Sequence, residues 1–283
     1  MFEKILSRLR WHLGMRLAAF SDKSGIEEAL ASKQAANKPV LVNLGCGGQS
    51  HPDWINIDFR GDGKSVFSWD LRRCLPLADR SCDAVYASHV IEHFDRGAAR
   101  HFLFECRRVL KDEGCIRLVA PDLEGITRAY LRALEAARSG EVDGTARYDW
   151  MVLELLDQLV RHQSGGEMMR YWSQSSVPAE DFVAQRVGGE YWRAREFCMS
   201  LPPRQAKTDA ASVGKFRLAG EPHLWMYDSY SLGRLLSECG FVSVQVCAAN
   251  QSAIAGFNKF GLDVEPDGAI YKPDSFFIEA KVS

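Results

Sequence analysis

This 283-residue sequence predicts an α/β fold on a doubly wound, mostly parallel sheet. Three observations predict it. Short apolar runs repeatedly end in glycine or polar residues, as strands do at the ligand-binding edge of a parallel sheet. Segments of helical period lie between them. The alternation stops for about a hundred residues and then resumes, which is the pattern of one sheet domain carrying an insertion. With 46% apolar and 25% charged residues the chain has a globular composition, and it is long enough to bury a core without metal or disulfide staples.

The elements follow in order. Residues 1–20 read as an amphipathic helix with Phe2, Ile5, Leu6, Leu9, Leu13, Leu17 and Phe20 on one stripe. That stripe suits packing on the main domain or a partner subunit better than a membrane surface, since no second anchoring signal accompanies it. After a polar linker to Lys38, Val40–Leu44 is a buried strand feeding Gly45-Cys-Gly-Gly48. Trp54–Asp58 is a second strand and Asp83–Ser88 a third. Residues 98–110 form a helix with Phe102, Leu103, Cys106, Val109 and Leu110 on one face and Gly114 as its stop, and Cys115–Ala120 is the next strand.

Helices are then expected at 123–138 and 148–162, followed by an aromatic-rich stretch over 178–204. Asp228 caps a later helix carrying Leu232, Leu235, Leu236 and Cys239, and Phe241–Val246 and Ser275–Val282 are the last strands. The resulting division is an N-terminal helix and linker over 1–38, an α/β core from 39–126 with 222–283, and a helical insertion over 127–221 serving as a substrate wall.

Charge and cysteine usage narrow the function. Lys and Arg total 35 against 37 Asp and Glu, so no global field recruits nucleic acid. Arg193, Arg195, Arg204, Lys207, Lys215 and Arg217 read as a local basic patch or a solvated loop. The eight cysteines include no C-x-x-C pair, which removes zinc-ribbon and thioredoxin-like readings and fits free thiols in a reducing cytoplasm. No His, Asp or Glu cluster has recognisable metal-ligand spacing, so no metal is expected. No run is long and apolar enough to span a membrane, and no signal peptide is visible, so a cytoplasmic protein is expected, peripheral at the inner membrane face if residues 1–20 bind there.

The chemistry-bearing residues form an ordered series. The glycine turn lets a ligand approach bare backbone, but Ser50 stands where a dinucleotide fingerprint needs its third glycine. Asp58 ends the next strand, where a carboxylate can accept the hydroxyls of a ribose. Asp70-Leu71 comes before Leu75-Pro-Leu77, and Ser88-His-Val-Ile-Glu-His93 follows the third strand. Together with L-G-C-G, W-I-N-x-D and the late His223-Leu-Trp-Met-Tyr-Asp228, the series resembles the class I S-adenosylmethionine-dependent methyltransferases. It looks closest to the type 11 branch, relatives of which are associated with cell-surface polysaccharide synthesis.

That resemblance implies a Rossmann-like class I methyltransferase fold and S-adenosyl-L-methionine as cofactor. It implies that Asn43, Gly45, Cys46 and Gly47 pass beside the methionine part, that Asp58 holds the ribose, and that Asp70 reaches the adenine amino group with Leu71 beside the ring. Ser88 and His89 would line the pocket near the sulfonium. Asn43 departs from the acid usual on the first strand and Gln49 from the third glycine. The interval from Gly47 to Asp58 is also short for a crossover helix.

A hydroxyl or amine acceptor additionally calls for a general base, and His93 and His89 are the candidates, with His223 a third. His93 reads equally as a helix-start residue that packs or orients Glu92. On helix 148–162, Val152, Leu155, Leu156 and Leu159 read as the buried face. Trp150, Glu154, Asp157, Gln158 and Arg161 lie opposite, as a solvated face or a sugar-binding wall. Trp150, Asp157, Arg161 and His223 are therefore the substrate-binding candidates. Tyr171, Trp172, Tyr191 and Trp192 suit either stacking on a sugar or filling a helical core.

The expected activity is methyl transfer to a hydroxyl or amine of a small or glycan-like acceptor. The alternatives are a non-catalytic methyltransferase-like partner subunit and an NAD-dependent sugar-modifying enzyme.

Overall fold

The computed structural model describes residues 22–200 and 209–283. The amphipathic segment 1–20, with Arg204 and Lys207 of the basic patch, lies outside them. The described chain forms two compact units. The first takes residues up to Ala120 with Ser229–Leu262 and Phe276–Ser283, and the second takes Pro121–Asp228 with Asp263–Ser275.

The first unit begins with α1 (Lys23–Ala35), then β1 (Leu41–Leu44), β2 (Ile55–Asp58), β3 (Val66–Ser68) and β4 (Cys82–Ser88). A 3-10 turn at Ile91–His93 leads into α2 (Arg96–Val109) and β5 (Leu110–Pro121). The chain returns to the sheet at α9 (Ser229–Glu238), β6 (Val242–Cys247), a 3-10 turn at Phe257–Phe260 and β7 (Ser275–Lys281). The seven strands stand in the order β3-β2-β1-β4-β5-β7-β6. Pairings are parallel from β3 through β5, and β6 runs antiparallel to β7. This is the mixed, mostly parallel sheet of the class I methyltransferase fold. Strand order reverses between β1 and β4, which is where open α/β sheets bind ligands.

Local physics accounts for the elements the pattern predicts. Asp95 starts α2 by accepting the Gly97 and Ala98 N–H groups at 2.8 and 2.9 Å, a cap worth about 1 kcal/mol. Ala99, Phe102, Leu103, Cys106 and Val109 then face the core at helical spacing. Gly114 is not the helix stop. Leu110 already pairs with Cys82 as strand, and the chain turns at Glu113 (φ 61°). A Cβ on Gly114 would meet the Lys111 carbonyl at 2.7 Å, which explains the glycine.

No helix joins β1 to β2; residues 45–54 form a turn. The sheet beneath that turn is covered from the far end of the chain. Trp54 lies 5.4 Å from the ring of Phe260, Tyr86 lies 5.4 Å from Phe257, and His51 meets Phe260 at 4.9 Å, with edge or tilted geometries. Arg117 of β5, fully buried, fastens the segment preceding these rings. Its guanidinium donates to Glu279 Oε1 (2.8 Å), Gln251 O (2.8 Å) and Ala249 O (3.1 Å), and it stacks 4.6 Å from the Phe257 ring.

The second unit is helical: α3 (Leu123–Arg138), α4 (Gly144–Val160), α5 (Gly166–Trp172), α6 (Glu180–Val187), α7 (Glu190–Ser200) and α8 (Ala210–Arg217). Helices α3 and α4 approach closely at Gly144, where a Cβ would sit 2.6 Å from the Ala136 carbonyl. The predicted faces of α4 are only partly kept. Trp150, Glu154 and Asp157, expected on the outer side, are buried with Met151, whereas Val152, Leu155 and Leu159 are half-buried and Leu156 is 45% exposed. The reason is that each carboxylate takes a cation inward with it. Glu154 accepts the Trp150 indole N–H at 2.8 Å and pairs with Arg186. Asp157 pairs with Arg161 and accepts the Glu167 N–H at 2.7 Å. Periodicity counts apolar residues and does not see a paired charge.

Candidate functional site

The carboxyl ends of β3, β2, β1 and β4 stand side by side, and they carry the predicted cofactor residues in that order. At β1, Gly45 (φ 65°) and Gly47 (φ 50°) both adopt the left-handed conformation that favours glycine. A Cβ on Gly45 would fall 2.3 Å from Val90 Cγ2, so no other residue lets the turn lie this close to the chain leaving β4. A Cβ on Gly47 meets nothing within 4 Å; that glycine faces open space. Cys46 between them is 6% exposed. Burial, and then the Asp58 carboxylate, push its thiol well above the usual range, so it is a neutral wall and not a nucleophile.

Asp58 closes β2. Its Oδ2 accepts the Gly47 N–H at 2.9 Å and its Oδ1 the Arg60 N–H at 3.2 Å. Burial raises its carboxyl despite those bonds. The Trp69 N–H donates to the Asp58 carbonyl at 2.8 Å, which sets the end of β3 beside it. Asp70 follows, with Leu71 half-buried next to it. Burial works to raise the Asp70 carboxyl, but Arg72 outweighs it and holds it below the ordinary range. Arg72 grips both oxygens, Nε to Oδ1 at 2.9 Å and Nη2 to Oδ2 at 2.8 Å. An adenine amino group would have to share that carboxylate with Arg72.

At β4, Ser88 pairs with Val119 of β5. His89 has φ 54° and donates its N–H to the Val119 carbonyl at 2.9 Å. A non-glycine residue in this region is held there by its surroundings. Its Nδ1 lies 3.3 Å from Oε1 of Glu92, a carboxylate with no solvent exposure. His93 is half-buried on the 3-10 turn, donating its N–H to the Val90 carbonyl at 3.1 Å. The Glu92 carboxylate thus lies near His89 as well as near His93, the residue the sequence singled out beside it.

The substrate candidates lie in the second unit. Trp150 is fully enclosed among Met151, Met168, Tyr171, Val183 and Tyr191, so it presents no face to a sugar. Asp157 and Arg161 are committed to each other, to Glu221 and to the 165–167 turn. His223 is 4% exposed and donates its N–H to the Gln158 carbonyl at 3.0 Å. The Trp150, Asp157 and Arg161 side chains knit α4 to its neighbours instead of forming an open wall. Among the aromatics Tyr171 and Tyr191 are core, Trp172 packs against that core, and Trp192 is 55% exposed. The described members of the basic patch are partly spent as well: Arg193 pairs with Glu265, Arg195 with Glu180, and Arg217 donates to the Leu159 carbonyl.

Residues 60–118 match the family model described as a methyltransferase domain. The matched stretch includes Asp70, Leu71, Ser88, His89 and His93 and leaves out the glycine turn and Asp58. None of the curated proteins matches. Solved structures to which the chain is similar include a SAM-dependent methyltransferase from Archaeoglobus fulgidus, at 13% identity over 90% of this chain and 94% of that one, TM-score 0.39. Another is a possible histamine N-methyltransferase from Thermotoga maritima, at 14% identity over the whole of both chains, TM-score 0.38. A third is human N-acetylserotonin methyltransferase in complex with SAM, at 11% identity over 91% of this chain and 51% of that one, TM-score 0.35. Likenesses this loose assign no residue a role. The family match marks residues 60–118 as similar to a methyltransferase domain.

Proposed function

We propose that the protein transfers a methyl group to a hydroxyl or amine of a small or glycan-like acceptor, with His89 as general base. The observation that carries this reading is the His89–Glu92 pair: a histidine at the carboxyl end of β4, its ring nitrogen 3.3 Å from a fully buried carboxylate. A carboxylate this close favours the protonated form of the ring, which is what a histidine acting as a base must reach.

The carboxyl edge fits S-adenosylmethionine on its own chemistry. The Gly47 face is open, the Asp58 carboxylate can turn an oxygen to a ribose, and Asn43 Oδ1 is a buried acceptor with no hydrogen-bond partner in the described chain. A buried acceptor left unpaired costs about 1–3 kcal/mol, and the ammonium of the methionine part is a donor of the kind it lacks. Gly45, Cys46 and Gly47 would pass beneath that part, Asp58 would hold the ribose, Asp70 and Leu71 the adenine, and Ser88 and His89 would border the methyl group. The bound cofactor supplies an already activated methyl donor, so the protein's task is alignment.

His89 takes the acceptor's proton as the bond forms, and Glu92 stabilises the imidazolium that results. A glycan-like acceptor is supported by the near-balanced charge and by Trp192 and Trp225, 55% and 42% exposed in the second unit, since exposed indoles are the faces on which sugar rings stack. The test is a screen of nucleotide sugars, oligosaccharides and small amines, read as S-adenosylhomocysteine released. His89→Ala should abolish turnover on the accepted substrate while S-adenosylhomocysteine still binds. Full turnover by that variant would remove His89 as the base.

A further inference from the structure

We propose that Asn43 and Asn56 act as a coupled pair of positioning residues for the cofactor turn, doing the work that a crossover helix would otherwise do. The inference rests on the S-adenosylmethionine reading of that turn. Parallel neighbours such as β1 and β2 usually need a crossover of a dozen or more residues. Here residues 45–54 make the connection without regular structure, so something else must hold it.

Asn56 is that hub. Its Nδ2 donates to the carbonyls of His51 (3.0 Å), Trp54 (3.1 Å) and Ser65 (3.2 Å). Its Oδ1 accepts from the His51 N–H and from Asn43 Nδ2, each at 3.2 Å. Asn43 Nδ2 donates in turn to the Gln49 carbonyl at 2.9 Å, directly after the glycine turn. Both asparagines are at most 2% exposed, so these bonds form away from water, where an unmade one is costly.

The chemistry explains why both residues are amides. Only an amide offers donors and an acceptor from one planar group. A carboxylate at position 43 would face two acceptors, the Gln49 carbonyl and Asn56 Oδ1, with no proton for either. The departure of Asn43 from an acid is therefore the counterpart of Asn56, and it leaves the glycine turn tied through Gln49 at one end. The Gly45 N–H donates to the Ile57 carbonyl at 2.8 Å and ties the other end to the strand that carries Asn56.

The experiment is titration calorimetry of the full chain with S-adenosylhomocysteine and, separately, with adenosine, which lacks the part that lies on the glycine turn. Asn56→Ala and Asn43→Asp should each weaken S-adenosylhomocysteine by at least about tenfold, the order expected for buried groups losing their partners, with a much smaller change for adenosine. Asn43→Ala is the gentler variant. It removes the donor to the Gln49 carbonyl and to Asn56 Oδ1 and leaves the bonds of Asn56 to the three carbonyls, and should cost several-fold on the same ligand; it decides the matter if Asn56→Ala does not fold. Folded variants that bind both ligands as the wild type does, or lose both equally, overturn the proposal. A wild-type protein that binds neither overturns the cofactor reading itself.

Discussion

Replacing Arg117 with methionine should destabilise the first unit severely, and the structure says by how much. The guanidinium has no solvent exposure and supplies hydrogen bonds to Glu279 Oε1, Gln251 O and Ala249 O. Methionine keeps most of the packing volume and removes every donor. The Glu279 carboxylate would then rest only on Ser252 Oγ and the Ala253 N–H. Removing one partner of a buried ion pair costs about 3–5 kcal/mol, a large share of the roughly 5–15 kcal/mol that holds a domain together. Arg117→Met with Glu279→Met should recover part of that loss, because no charge is left stranded. Urea unfolding at constant m-value measures both, and the loss should hardly change with salt, since a buried pair is poorly screened. A single-variant loss below about 1 kcal/mol, or a double variant no better than the single, would refute the assignment of Arg117 as the fastening of residues 248–260.

Other perturbations have defined outcomes. Asp58→Ala should weaken S-adenosylhomocysteine by about 1–3 kcal/mol, read by calorimetry; unchanged affinity removes the ribose assignment. Glu92→Gln should move the acid limb of the pH–rate profile to lower pH, because a carboxylate favours the protonated histidine beside it; an unmoved limb means Glu92 does not act on the base. Burial, with the neighbouring Glu154 carboxylate second, raises the Asp274 carboxyl to about 6 from 3.8. Its raised value favours folding below pH 3.8, and that benefit is lost as pH rises through about 6. Asp274→Asn should therefore gain about 2–3 kcal/mol over wild type at pH 8 relative to pH 4, seen in thermal melts at the two pH values. Trp150→Ala should lower stability by about 3–5 kcal/mol through the cavity it opens; a near-neutral melt would mean the site is not the packed centre described.

The sheet was legible wherever the chain obeys one rule at a time. Val40–Leu44 and Asp83–Ser88 are apolar runs ended by polar residues, and both are strands within a residue of their predicted limits. The helix over 123–138 has the limits its period predicts. Two competing principles hid the rest. In α4 the inward residues are polar because their partners, such as Arg186, come from a distant position in the chain. The short strand Val66–Ser68 has too few residues for a period to show.

The edge residues Gly45, Gly47, Asp58, Asp70, Ser88 and His89 were visible as a series, since each ends a strand. Asn56 was not. It stands in an apolar strand, and nothing local shows that its amide collects three carbonyls. Nor does spacing show that Arg72 occupies Asp70. The absence of room for a helix between β1 and β2 was readable from the interval alone, but what covers the sheet there was not.

That cover has a consequence for the order in which the protein can be made. In an ordinary strand–helix–strand unit the helix shielding the first strands is synthesised between them, and the unit can close early. Here Trp54 and Tyr86 wait for Phe257 and Phe260, so loop closure spans nearly the whole chain. A nascent chain ending at Val246 would carry every residue of the cofactor edge with its aromatic face still wet. Those rings stay exposed until residues 257–260 have been made, the condition in which partly folded chains associate.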